Sequence, residues 1–155
     1  MIKTLLVDDE FLALNLLEKF LQELGEDWQL VGKLKSPSAA LSFLAEEPVD
    51  VLFLDIQMPG LLGTDLLKAL APYPPITIFT TAYSEYAPQA FDLNAVDYLL
   101  KPFSFERFAQ ACEKAKTQYG QRIAQAEKSN VLTIKFDGRI QKLNPQDILY
   151  IEGLK

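Results

Sequence analysis

Four short stretches carry side chains that could do chemistry together. LLVDDE ends in Asp8, Asp9 and Glu10; LFLDIQMPG carries Asp55; IFTTA carries Thr80 and Thr81; YLLKPF carries Lys101. Clustered carboxylates repel, and more strongly as water is excluded. Asp8, Asp9 and Asp55 brought together would therefore call for a hard divalent cation such as Mg²⁺. A metal, a lysine and a hydroxyl would jointly screen the oxygens of a phosphoryl group in transit. The chain has no histidine, and its single cysteine, Cys112, lies outside these stretches. The nucleophile is then a carboxylate that forms an acyl phosphate. Asp55, alone on its strand opposite the Asp8–Asp9 pair, is assigned that role. Each stretch also has a plain explanation: a helix-capping Asp with solvated neighbours, a turn towards Pro59-Gly60, strand propensity of Thr, and a surface lysine. Singly, they do not choose.

The elements that must position these residues decide more. Apolar runs at Ile2–Val7, Trp28–Leu34, Val49–Leu54, Ile76–Thr81 and Val96–Leu100 read as strands. Helical patterns alternate with them. Leu14, Leu17, Leu21 and Leu24 share one helix face, and Ser36-Pro37 caps a second helix over Ala40, Leu41 and Leu44. Leu66, Leu67 and Leu70 mark a third helix, and Ala87, Ala90 and Phe91 a fourth. Ser104 caps a fifth, with Phe105, Phe108, Ala109 and Cys112. Strands apolar throughout and separated by helices predict an α/β fold: a doubly wound, five-stranded parallel sheet covered on both faces. In such sheets the functional crevice lies beyond the carboxyl ends of the strands. Asp8, Asp9, Asp55, Thr80, Thr81 and Lys101 all fall there.

Composition sets outer limits. The chain has 155 residues, 49% of them hydrophobic, enough for a real core. No apolar run approaches the roughly 18 residues of a membrane span, and no signal peptide opens the chain. With one cysteine there is no internal disulfide, and a cytoplasmic protein with no membrane partner is expected. A net charge of −6 argues against a broad nucleic-acid grip. The balance shifts along the chain: residues 1–116 carry 9 basic and 17 acidic side chains, residues 117–155 carry 6 and 4. Two parts are implied.

LLVDDE, LFLDIQMPG, IFTTA and YLLKPF, in this order, resemble the receiver domain of two-component response regulators (CheY-like) over residues 1–118. The resemblance implies a flavodoxin-like strand order of 2-1-3-4-5. It makes Asp55 the phosphoacceptor, Asp9 a direct Mg²⁺ ligand, Asp8 a ligand mainly through water, and the Gln57 backbone carbonyl the remaining protein ligand. Thr81, followed by Ala82, matches the switch hydroxyl better than Thr80 does. Lys101 contacts the phosphoryl group, and Tyr98 is the aromatic whose rotamer reports the state. The implied partner is a histidine kinase, with a homodimer forming on phosphorylation through helix 4, strand 5 and helix 5. Such a domain is a signalling phosphoacceptor that assists its own phosphorylation and dephosphorylation, not a turnover enzyme.

VLTIKFDGRIQKLNPQDILYIEG reads as a β-hairpin turning at Asp137-Gly138, then the start of a third strand. Val131, Thr133, Lys135 and Asp137 alternate with Leu132, Ile134 and Phe136. Residues 130–155 resemble the opening of a LytTR-type DNA-binding domain, so the chain is expected to be part of a longer protein. Its DNA binding would need the full-length C-terminal domain. Residues 119–129 are a linker or an extension of helix 5: Cys112, Ala115, Tyr119, Ile123 and Ala126 form a stripe that suits core, dimer seam or exposed linker equally. The competing functions are a stand-alone phosphotransfer domain without DNA output, a haloacid dehalogenase-type phosphatase, and a dinucleotide binder. The phosphatase needs a second Asp where Gln57 stands, and no G-x-G-x-x-G follows strand 1.

Overall fold

The computed structural model describes residues 1–70 and 73–137, with 129–137 as backbone only. The chain divides into two units, Met1–Lys116 and Thr117–Lys155. In the first unit strands and helices alternate: β1 (Ile2–Val7), α1 (Phe11–Leu24), β2 (Trp28–Leu34), α2 (Pro37–Glu46), β3 (Val51–Asp55), α3 (Gly63–Ala69), β4 (Ile76–Thr81), α4 (Ala87–Asp92) and β5 (Asp97–Leu100). A single 3₁₀ turn, Ser84–Tyr86, precedes α4, and α5 spans Phe105–Asp137.

All five strands are parallel in the order β2-β1-β3-β4-β5, the flavodoxin-like arrangement. Strand side chains alternate between faces, and the central strands β1, β3 and β4 are buried on both. On one face Leu5, Val7, Leu52, Leu54 and Phe79 pack with Leu66 and Leu67 of α3 and Ala90 of α4. On the other, Phe53 stacks on Phe108 of α5 with ring centroids 5.2 Å apart, and Phe20 of α1 lies 5.3 Å from Phe108. The helix face Leu14, Leu17 and Leu21 is buried as its spacing predicts. Both serine caps form: Ser36 Oγ accepts the Ala39 N–H at 3.2 Å, and Ser104 Oγ the Arg107 N–H at 3.1 Å.

The tail departs from the alternation read in its sequence. Residues 131–137, expected as the first strand of a hairpin, continue α5 instead. Alternating side chains become a strand only beside another strand, and an isolated pair is marginal in water. Extending a helix already formed adds one hydrogen bond per residue fixed, without a new nucleus. Residues 119–129 are helical for the same reason. The second hairpin strand and the apolar run at Ile148, Leu149 and Ile151 lie outside the described residues.

Candidate functional site

β1, β3, β4 and β5 end on one edge of the sheet, and their last residues meet there. Asp8, just past β1, is fully buried. Its Oδ1 accepts the Glu10 N–H at 2.9 Å, and its Oδ2 accepts from Lys101 Nζ at 2.7 Å. The lysine also stands 3.6 Å from Asp55 Oδ2 and 3.9 Å from Glu10 Oε1. One cation thus faces three carboxylates drawn from two strand ends. Neither Asp caps α1; its N-cap is Glu10, without a side-chain capping bond.

Asp55 closes β3 with 4% of its surface exposed. Burial and the neighbouring Asp8 and Asp9 charges push its carboxyl up to about 7, against the pull of Lys101 and of the Gln57 N–H, which donates to Oδ1 at 3.2 Å. Burial works against the Lys101 ammonium, but the Asp8 hydrogen bond and the Asp55 and Glu10 charges more than reverse that and raise it above its usual range. Ligand oxygens of Asp8, Asp9 and Glu10 lie within 4.8 Å of one another. An all-oxygen, acid-rich donor set of this kind suits a hard divalent cation.

The loop after β3 keeps Asp55 in place. Gly60, at φ +101°, makes the left-handed turn that Pro59-Gly60 announces. Gly63 opens α3 against the end of β3: its N–H donates to the Ile56 carbonyl at 2.7 Å, and a Cβ there would sit 2.5 Å from the Asp55 carbonyl oxygen.

At the end of β4, Thr80 pairs in register with Asp55, and Thr81 follows. The Thr81 hydroxyl is buried and accepts the Tyr83 N–H at 3.2 Å, while Ala82 is exposed. Thr80 Oγ1 is the one buried side-chain polar atom without a hydrogen-bond partner among the described residues. Half-buried Tyr98 donates its hydroxyl to the Tyr83 carbonyl, and exposed Gln57 donates Nε2 to the Tyr86 hydroxyl at 3.3 Å.

Asp8, Asp55 and Lys101 are therefore in direct contact, with Asp9 beside them, and Thr81 and Tyr98 are each tied to Tyr83. Glu10, visible in LLVDDE, joins the site through Lys101; Gly63 and the tyrosines Tyr83 and Tyr86 of the β4–α4 segment carry no such signal in their types. Nothing local flags Gly63, whose role is a tertiary close approach.

A parallel sheet in this order, with acids, hydroxyls and a lysine along its carboxyl edge, defines a class of phosphate-handling signalling domain. Residues 4–113 match the response regulator receiver domain family, and the chain belongs to that family. It is the receiver part of a two-component response regulator. The transcriptional regulatory protein BtsR of Escherichia coli is 35% identical over 159 residues, which cover 99% of this chain and 66% of BtsR. The response regulatory domain of mrkE from Klebsiella pneumoniae superposes with a TM-score of 0.72 at 34% identity, covering 77% of this chain and 99% of that one. TrrA of Thermotoga maritima, solved in complex with Mg²⁺ and BeF, gives a TM-score of 0.66 at 28% identity, covering 74% and 99%. The chain spans less than two thirds of the length of the curated relatives it matches first. No helix among the described residues is long and apolar enough to cross a membrane.

Proposed function

We propose that Asp55 accepts a phosphoryl group from a histidine kinase, with Mg²⁺ as cofactor. The observation that carries this is the Lys101 ammonium set between Asp8 and a nearly buried Asp55. Asp9, Asp8, Asp55 and the Gln57 carbonyl would hold the metal, which supplies positive charge for the phosphoryl oxygens when bound. The Mg²⁺–BeF complex of TrrA supports the cofactor by analogy. An Asp55 carboxylate oxygen attacks phosphorus; the phosphorus–nitrogen bond of the kinase phosphohistidine breaks, and the imidazole recovers its proton from solvent. Lys101 turns to the phosphoryl oxygens, and the Thr81 hydroxyl leaves the Tyr83 N–H for them. Ala82, small and exposed, leaves the approach open. The space Thr81 vacates admits Tyr98, which reshapes the face of α4, β5 and α5.

Two states in equilibrium, biased by the phosphoryl group, suffice for such a switch. Phosphorylation then favours a homodimer through that face. Residues 1–118 form the receiver and 119–129 extend α5, which runs on to Asp137 through the opening of residues 130–155; that last stretch belongs to a LytTR-type module that regulates transcription in the cytoplasm. BtsR, a transcriptional regulatory protein, aligns through the tail and supports this output.

The test is intact mass after incubation with acetyl phosphate and Mg²⁺. One phosphoryl group should add to the wild type and none to Asp55→Asn, with Asp9→Ala also blocked. Normal uptake by Asp55→Asn would overturn the assignment. Sedimentation with and without beryllofluoride tests the dimer; one unchanged species would exclude it.

A further inference from the structure

The only acid on β5, Asp97, is 6% exposed and faces α5. Arg107, in the first turn of that helix, grips it with both arms of its guanidinium: Nη1 to Oδ2 at 2.8 Å and Nη2 to Oδ1 at 2.7 Å. Lys114 Nζ, two turns on, lies 3.3 Å from Oδ2. The same groups reach the backbone of the next residue. The Tyr98 N–H donates to Asp97 Oδ1 at 2.8 Å, and Arg107 Nη2 donates to the Tyr98 carbonyl at 3.2 Å.

Among the described residues, β5 is an edge strand with a neighbour on one side only. Edge backbone groups otherwise face water or recruit a foreign strand. Here an ion pair occupies both polar groups of one residue, and that residue is Tyr98. Burial pushes the Asp97 carboxyl up, but the Arg107 hydrogen bonds, the Tyr98 N–H and Lys114 outweigh it and hold the carboxyl below its usual range. The acid is therefore charged, and its bonds to Arg107 are of the stronger, charge-assisted kind. Tyr98 is tied at two ends: its ring to Tyr83 in the β4–α4 segment, its peptide groups to the first turn of α5.

We propose that Asp97 and Arg107 form a clamp that passes the conformational state of Tyr98 into α5. This rests on the reading of Tyr98 as the residue that answers phosphorylation at Asp55. Arg107 is a positioning residue: the partners of its guanidinium among the described residues are Asp97 and the Tyr98 carbonyl, not Asp8, Asp9, Asp55 or Lys101. The geometry requires arginine and not merely a cation. A planar fork can bind a carboxylate with two donors and still offer a bond to a carbonyl, whereas an ammonium is a point donor on a flexible stem. An ion pair that merely stabilised the β5–α5 packing would be served nearly as well by lysine.

The experiment follows backbone amides by NMR in the 155-residue chain on adding beryllofluoride with Mg²⁺, alongside urea unfolding. In wild type, the Tyr83 and Tyr98 amides and those of Phe105–Lys116 should all shift. Arg107→Lys should keep most of the stability that Arg107→Ala loses, and should retain the Tyr83 and Tyr98 shifts. Its shifts across Phe105–Lys116 should fall by at least about threefold, the scale of a coupling broken midway. Asp97→Asn, which keeps an oxygen for the Tyr98 N–H but removes the charge, should give the same loss. Undiminished α5 shifts in Arg107→Lys and Asp97→Asn would overturn the clamp while leaving the Asp55 reading intact. If Tyr98 shifts in wild type and α5 does not, the clamp also falls alone. If wild type fails to respond at all, the reading of Asp55 falls and takes the clamp with it.

Discussion

Lys101 and Asp8, 93 positions apart in the chain, meet at 2.7 Å with the carboxylate fully shielded from water. The lysine is the resting counter-charge of the acid cluster, and a bound cation would compete with it for Asp8. Lys101→Met keeps the apolar stem and removes the charge, leaving a buried acid unpaired. In metal-free buffer at pH 8 this variant should lose roughly 3–5 kcal/mol in urea unfolding, the scale of breaking a buried pair from one side. Millimolar Mg²⁺ should restore more stability to the variant than it adds to wild type. Equal gains would show that lysine and metal do not share Asp8.

The Asp55 carboxyl, raised to about 7 from an ordinary value near 3.8, gives a pH signature of known sign. Between those values the folded state binds more protons than the unfolded one, so stability falls as pH rises through this window. Above about pH 7 the whole penalty is present; below about pH 4 it is gone. Asp55→Asn removes it. Without metal, the variant should match wild type near pH 4 and exceed it by roughly 1–4 kcal/mol at pH 8, since each tenfold change in proton affinity is worth about 1.4 kcal/mol. Urea midpoints across pH check this, and a gap that does not grow with pH would contradict the electrostatic account.

Gly63→Ala tests the close approach of α3 to β3. In an ordinary helix the change would stabilise by up to about 1 kcal/mol. Here the new methyl would lie 2.5 Å from the Asp55 carbonyl oxygen, so backbone must move. A net loss of about 1–3 kcal/mol is expected, with slower phosphoryl uptake because the displaced backbone carries Asp55, the proposed phosphoacceptor. Chemical denaturation and the intact-mass time course measure the two effects separately.

Thr80→Val should do the reverse. The Thr80 hydroxyl is buried without a partner, and such a group costs about 1–3 kcal/mol in desolvation. Replacing it by a methyl of the same shape should raise stability by about 1 kcal/mol, and under the proposed assignment of the switch to Thr81, phosphoryl uptake should persist. A destabilised Thr80→Val would place that hydroxyl in a hydrogen bond.

The sequence by itself determined the sheet and the line-up of the site. Runs such as LLV and VLFL are apolar without alternation because parallel strands are covered on both faces, and Ser36 and Ser104 announce helix starts because a cap is a local bond. Once the strands are known to be parallel, their carboxyl ends share one edge, and Asp8, Asp55, Thr81 and Lys101 follow. Tertiary structure decided what those residues touch. No local pattern shows that Lys101 takes Asp8 at 2.7 Å and Asp55 only at 3.6 Å, because packing and a contest of charges set that difference. The Asp97–Arg107 grip on Tyr98 is equally silent in sequence: it joins a strand edge to the helix laid beside it. Residues 131–137 show the converse limit. Their alternation is a strand signal only where neighbouring strands exist to receive it, and with α5 already formed behind them, the described chain continues as helix.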